Sequence, residues 1–127
     1  MKLYIDSSAA VKLLRREQES EALRAFCIQP DVELVASDLL ETELRRIAAR
    51  QELPQAAVTD VLAAVNVYEL SRSAYVEAGM LAGANLRSLD ALHLVGALRL
   101  NVDAVLVYDK HMTDAAVEHG FRVLAPA

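Results

Sequence analysis

Short apolar runs alternate with helix-length segments along the whole chain. Residues 2–5 read as a buried strand that stops at Asp6, and further strands read at 33–36, 67–70, 104–108 and 121–124. Between them lie helical patterns over 9–16 and 19–29. A third helix starts at Ser37 or Asp38, with Leu40, Leu44, Ile47 and Ala48 as its buried stripe, and ends at Glu52-Leu53-Pro54. Pro54 opens a fourth helix to about Val65. Helices follow over 73–86, from a Ser88 cap to Leu100 with Asn101 as the stop, and over 110–119, ended by Gly120. Strands separated by helices need crossover connections, and so a parallel sheet. Apolar runs without polar alternation fit a sheet covered on both faces. The expectation is an α/β fold, a three-layer α/β/α sandwich with a parallel sheet of about five strands, formed by one domain over residues 1–127.

At 127 residues and 54% hydrophobic content, the chain can bury a core without a metal or disulfide staple. With no Trp and two Phe, that core is aliphatic. The one cysteine, Cys27, excludes a disulfide framework and reads as a small core hydrophobe. There is no apolar run long enough to span a membrane, and Asp6 comes too early for a secretory signal, so a cytoplasmic protein is expected. The formal charge of −5 argues against broad, backbone-driven binding to nucleic acid.

The acids are placed more tellingly than they are counted. In open α/β sheets, ligands bind beyond the carboxyl ends of the strands, where strand order reverses. Asp6 directly follows the first strand and Asp109 the fourth. Asp90 lies in the first turn of a helix that runs back along the sheet, so it also belongs to that edge. Glu43 sits about a turn into the helix after the second strand. If strands one and four are neighbours, Asp6 and Asp109 flank the switch point. Singly, Asp90 and Asp109 also read as helix caps and Glu43 as a solvated helix residue. Together, four carboxylates in one cleft repel unless they are protonated or neutralised. A hard divalent cation, Mg²⁺ or Mn²⁺, is the cleaner answer, and it suits a phosphodiester substrate and a metal-activated water.

Four segments carry a family resemblance: Tyr4-Ile5-Asp6-Ser7-Ser8-Ala9-Ala10-Val11-Lys12, Ser37 to Arg46, Leu86 to Leu94, and Val105-Leu106-Val107-Tyr108-Asp109-Lys110. In that order they resemble PIN-domain ribonucleases, most closely the toxins of VapBC-type toxin–antitoxin pairs. The resemblance implies a Mg²⁺- or Mn²⁺-dependent endoribonuclease whose acidic site is Asp6, Glu43, Asp90 and Asp109. Asp6 and Asp90 would be the main metal ligands, with Glu43 and Asp109 completing the site. It also implies a VapB-type antitoxin partner, an RNA substrate and a toxin homodimer. Ser8 matches a hydroxyl beside the first Asp. Its roles are to bond a site carboxylate or phosphate, to cap the first helix, or both.

Several neighbours remain open on sequence alone. Glu41 would face away from Glu43, and Asp114 reads as a solvated mid-helix acid that can approach the site. Asp103 lies at the wrong end of its strand. His93, one turn after Asp90, reads as a structural histidine, with an Asp–His metal pair as the alternative. His111 and His119 read as surface residues, and Tyr4 and Tyr108 as packed strand residues. Lys12 and Arg87, ahead of Arg45, Arg46 and Lys110, are candidates for holding RNA phosphates. The rival functions are a non-catalytic toxin-like regulatory domain and a phosphatase with Asp6 as nucleophile. The second is weakened by Ser8, which stands where such enzymes carry a second Asp. The four site acids account for most of the −5 charge, so RNA binding should depend on the metal and on a local basic rim.

Overall fold

Leu3, Ile5, Leu34, Ala36, Ala104 and Leu106 point to one face of the central sheet, while Tyr4, Val35, Val105 and Val107 point to the other. Both sets are apolar, which is why the strands show no alternation in sequence. A computed structural model describes residues 1–127. Its strands are β1 (Lys2–Ile5), β2 (Glu33–Ser37), β3 (Asn66–Tyr68), β4 (Ala104–Leu106) and β5 (Val123–Leu124). All pair in parallel, in the order β3-β2-β1-β4-β5. Helices α1 (Ser7–Leu14), α2 (Ser20–Cys27), α3 (Leu39–Gln51) and α4 (Gln55–Ala63) supply the core on the first face. Helices α5 (Arg72–Gly79), α6 (Ser88–Leu100) and α7 (Lys110–Glu118) cover the second. The expected three-layer sandwich is therefore present. β1 and β4 are neighbours whose following helices go to opposite faces, so the switch point opens between their carboxyl ends.

Local differences have local causes. The expected helix over 73–86 stops at Gly79, and residues 80–87 form an irregular loop. Its Ala- and Leu-rich sequence looks helical, but Gly83 takes φ 129°, outside the helical range. Ser88 is the first residue of α6 and not its cap, which falls on Arg87 without a side-chain capping bond. Asp38 flanks α3 without capping it. Its carboxylate instead accepts the Leu70 N–H at 3.3 Å, tying the end of β2 to the chain beyond β3. Asn101 does end α6, in the left-handed region at φ 55°.

Gly96 sets how closely α6 approaches the sheet. A Cβ there would lie 3.1 Å from the Tyr4 hydroxyl oxygen and 3.4 Å from Ser37 Cβ, both on fully covered side chains with little room to yield. Overpacking of this kind costs about 1–3 kcal/mol, and alanine's better helix propensity returns up to about 1 kcal/mol. Gly96→Ala is therefore expected to lower stability by about 1–2 kcal/mol, read as a reduced urea midpoint. An unchanged midpoint would mean that α6 can lift from the sheet without cost.

Candidate active site

Asp6 ends β1 and caps α1. Its Oδ1 accepts the Ala9 N–H at 3.1 Å and the Ser8 hydroxyl at 2.7 Å. Ser8 Oγ in turn accepts the N–H groups of Tyr108 at 3.0 Å and Asp109 at 3.2 Å. One hydroxyl thus joins the chain leaving β1 to the chain leaving β4. Of the roles open to Ser8, the structure shows the carboxylate bond, while the helix cap belongs to Asp6. Asp6 is 4% exposed, and its carboxyl is pushed up to about 6. Burial is the cause, opposed by the Ser8 bond and by the nearby His93.

Asp109 caps α7, its Oδ2 accepting the Met112 N–H at 2.8 Å. Asp90, in the first turn of α6, is 9% exposed. Arg87 bridges the two, from Nε to Asp90 Oδ2 at 2.7 Å and from Nη2 to Asp109 Oδ2 at 2.9 Å. His111 Nδ1 also lies 3.3 Å from Asp90 Oδ2. Glu43, on α3, is held at both oxygens. Ser7 Oγ donates to Oε2 at 3.2 Å, and His93 Nε2 lies 2.5 Å from Oε1. Burial pulls the His93 imidazole down, but Glu43 first, then Asp6 and Asp90, outweigh it and hold the group above its ordinary value.

The four acids line one cleft of about 460 Å³, together with Ser7, Ser8 and Arg87. Within it, each aspartate keeps one oxygen for protein donors and leaves the other without a protein partner: Asp6 Oδ2, Asp90 Oδ1 and Asp109 Oδ1. No buried side-chain oxygen or nitrogen lacks a hydrogen bond, so these three oxygens are reached by solvent. Hard oxygen donors of this type suit Mg²⁺ or Mn²⁺. No three of these side chains come close enough together to hold an ion by themselves. An ion bound here would therefore take one or two carboxylates directly and the rest of its shell from water.

The other candidates sort clearly. Lys12, expected beside RNA phosphates, pairs instead with Glu19 at 2.8 Å and Glu17 at 3.5 Å and lies over the Tyr108 ring. Arg45 pairs with Glu41, and Lys110 with Asp114, each one helical turn apart, so neither Glu41 nor Asp114 joins the cleft. Asp103 Oδ2 accepts the Lys2 N–H at the amino end of the sheet. His93 is 2% exposed with both ring nitrogens bonded within the protein, which fits a structural histidine and leaves no nitrogen for an Asp–His metal pair. His119, expected at the surface, is half-buried, with Nε2 3.0 Å from the Ala82 carbonyl. His111 is a surface residue, as expected, and from there also reaches Asp90. Its signal was its place two residues after Asp109, in the first turn of α7. Burial pushes the half-buried Cys27 thiol up to about 11, as befits a residue packed against the core.

Comparison with known proteins agrees with this layout. Residues 3–118 match the family model described as PIN domain. The chain is 38% identical over 128 residues to Ribonuclease VapC46 of Mycobacterium tuberculosis, covering 98% of both chains. It is 34% identical over 131 residues to Ribonuclease VapC35 of the same organism, covering 98% of this chain and 96% of the relative. Among solved structures, Mycobacterium tuberculosis VapC20, a sarcin–ricin loop cleaving toxin, matches with a TM-score of 0.76 at 17% identity, covering 98% of this chain and 99% of that one. VapBC2 from Rickettsia felis, bound to a DNA fragment from its promoter, matches with a TM-score of 0.72 at 11% identity, covering 100% of both chains. At those identities the two structures speak to the fold alone. The family model spans most of the chain and the two sequence relatives run almost its full length, so the chain belongs to the PIN-domain family and groups with the VapC ribonucleases.

Proposed function

We propose that the chain is an endoribonuclease toxin that hydrolyses RNA phosphodiester bonds with Mg²⁺ or Mn²⁺ held by Asp6, Asp90 and Asp109, with Glu43 completing the site. The observation that carries this reading is the set of three unpartnered aspartate oxygens around one cleft at the switch point. A bound divalent ion would neutralise these acids and polarise the scissile phosphate. The protein's own groups do the rest. Ser8 and the Ala9 N–H fix Asp6 through Oδ1 and leave Oδ2 free for an ion. Glu43 Oε2, which shares a hydrogen bond with Ser7, is placed to orient an attacking water and take its proton. Arg87, the one arginine or lysine that touches the acids, is the candidate to hold a phosphate oxygen once an ion replaces it there.

The same reading extends to one domain over residues 1–127, working in the cytoplasm, kept silent by a VapB-type antitoxin and paired as a homodimer. No helix is long and apolar enough to cross a membrane. Complexes of VapBC type among the fold's neighbours support the antitoxin, and Tyr75, Val76 and Met80, exposed along and just beyond α5, support self-association.

The test is to incubate the pure protein with total RNA and Mg²⁺ or Mn²⁺ and to map the new ends. Cleavage that leaves 5′-phosphates and stops with EDTA is expected, because a water nucleophile does not use the 2′-hydroxyl. Cleavage that survives chelation, or leaves 2′,3′-cyclic phosphates, would overturn the metal mechanism.

A further inference from the structure

A fully buried polar chain stands behind Glu43, and none of the chemistry above uses it. Tyr4 sits on β1 with no exposed surface, and its hydroxyl lies 2.7 Å from His93 Nδ1 and 3.0 Å from Ser37 Oγ. It also accepts the Ser37 N–H at 3.3 Å. His93 continues the chain to Glu43 Oε1. Gly96 leaves the space that lets α6 bring the imidazole this close to the tyrosine. A phenylalanine would fill the strand position without burying a hydroxyl, and buried polar groups are costly unless satisfied. Here every atom is satisfied, and the last bond of the chain reaches a carboxylate of the cleft.

The direction of the hydrogen bonds is well defined at that end. With a neutral imidazole, the Tyr4 hydroxyl donates to Nδ1 and takes its own bond from Ser37. With a charged one, Nδ1–H donates to the hydroxyl, which turns to Ser37 Oγ. In both cases Nε2 carries the hydrogen given to Glu43 Oε1. We infer that His93, oriented by Tyr4, is a positioning residue that anchors Glu43 Oε1 and so presents Oε2 alone to the cleft. A glutamate on a helix would otherwise sample several rotamers and offer either oxygen. The inference rests on the metal-dependent reading above.

The experiment is calorimetric titration of Mn²⁺ into the full chain without RNA, for the wild type, Asp6→Asn, Tyr4→Phe, His93→Gln, Glu43→Gln and the double variant Tyr4→Phe/Glu43→Gln. Loss of an outer hydrogen-bond partner of a metal ligand typically weakens affinity by about tenfold or more. Tyr4→Phe, which acts on Glu43 only through His93, is expected to weaken Mn²⁺ binding by about three- to tenfold in the wild-type background and not measurably on top of Glu43→Gln. His93→Gln, which keeps an N–H near the position of Nε2, is expected to retain most of the affinity. A merely structural role would move both backgrounds alike. If Tyr4→Phe is silent, or weakens binding equally with and without Glu43, the positioning role is wrong. If the wild type binds no Mn²⁺, or Asp6→Asn binds it unchanged, the metal-site reading itself fails.

Discussion

Replacing Asp6 by Asn is expected to abolish Mn²⁺-dependent cleavage and to make the metal-free protein more stable than the wild type at pH 8. The Asp6 carboxyl is almost fully buried, and burial lifts it from about 3.8 to about 6. Its folded value lies above its unfolded one, so the folded protein binds the proton more tightly. That contribution to stability is complete below about 3.8 and is lost as the pH rises through about 6. At pH 8 the group is ionised in both states, and its burial opposes folding by up to about 3 kcal/mol. Asparagine keeps a carbonyl oxygen for the Ser8 and Ala9 donors and carries no charge. Because His93 also loses a favourable neighbour, the net gain should be about 1–2 kcal/mol at pH 8, vanishing near pH 4. Thermal melts in EDTA at the two pH values measure this. RNA cleavage with Mn²⁺ should fall by about 10³-fold or more, the scale of losing a preorganised charge-stabilising group. A variant less stable than wild type at pH 8 would show that the buried carboxylate stabilises the fold. Equal activity would remove Asp6 from the chemistry. Opposite signs for stability and activity mark a residue kept for function.

How much of this could be read from sequence varied with the range of the interaction. Asp6 and Asp109 were legible because each directly follows an apolar run, and strand ends are set by local pattern. Asp90 was legible from its first-turn position in a helix that must start at the same edge. Glu43 was less legible, a turn into the helix after β2 and preferred over Glu41 by the family pattern, because its place depends on how α3 leans toward Ser7 and His93. The polar chain behind it could not be seen. Both faces of the sheet are apolar, so nothing in the pattern told which face Tyr4 shares with α6. Lys12 reads as a site residue by sequence distance, but the tight α1–α2 connection brings Glu17 and Glu19 to it first. The contact of the exposed His111 with Asp90 is not legible because a helix start fixes the positions of its first side chains but not their direction toward another helix. The loop over 80–87 is not legible because alanine and leucine favour a helix, and only the backbone of Gly83 shows that it breaks.

Arg87→Ala is expected to tighten metal binding and slow cleavage. In the metal-free fold the guanidinium neutralises Asp90 and Asp109 from a half-exposed position, 54% open to solvent. An incoming cation competes for the same acids, so its binding includes the loss of both ion pairs. Pairs this exposed are worth about 0.2–1 kcal/mol each. Removing them should lower the Mn²⁺ dissociation constant by about 3–10-fold, with a smaller difference at high salt because screening weakens exposed pairs. Once displaced, the arginine is the free cation nearest the cleft, and its planar fork suits a phosphate oxygen. Its loss should then reduce cleavage at saturating Mn²⁺ by about 10²-fold, the usual effect of deleting one charge-stabilising donor. Arg87→Lys separates the two roles: a lysine still competes with the ion as a point charge but cannot bridge two acceptors, so it should recover wild-type affinity more fully than wild-type rate. Weaker Mn²⁺ binding by Arg87→Ala would mean that the arginine organises the acids for the ion and does not compete with it. Unchanged cleavage would place the phosphate-holding role on another residue.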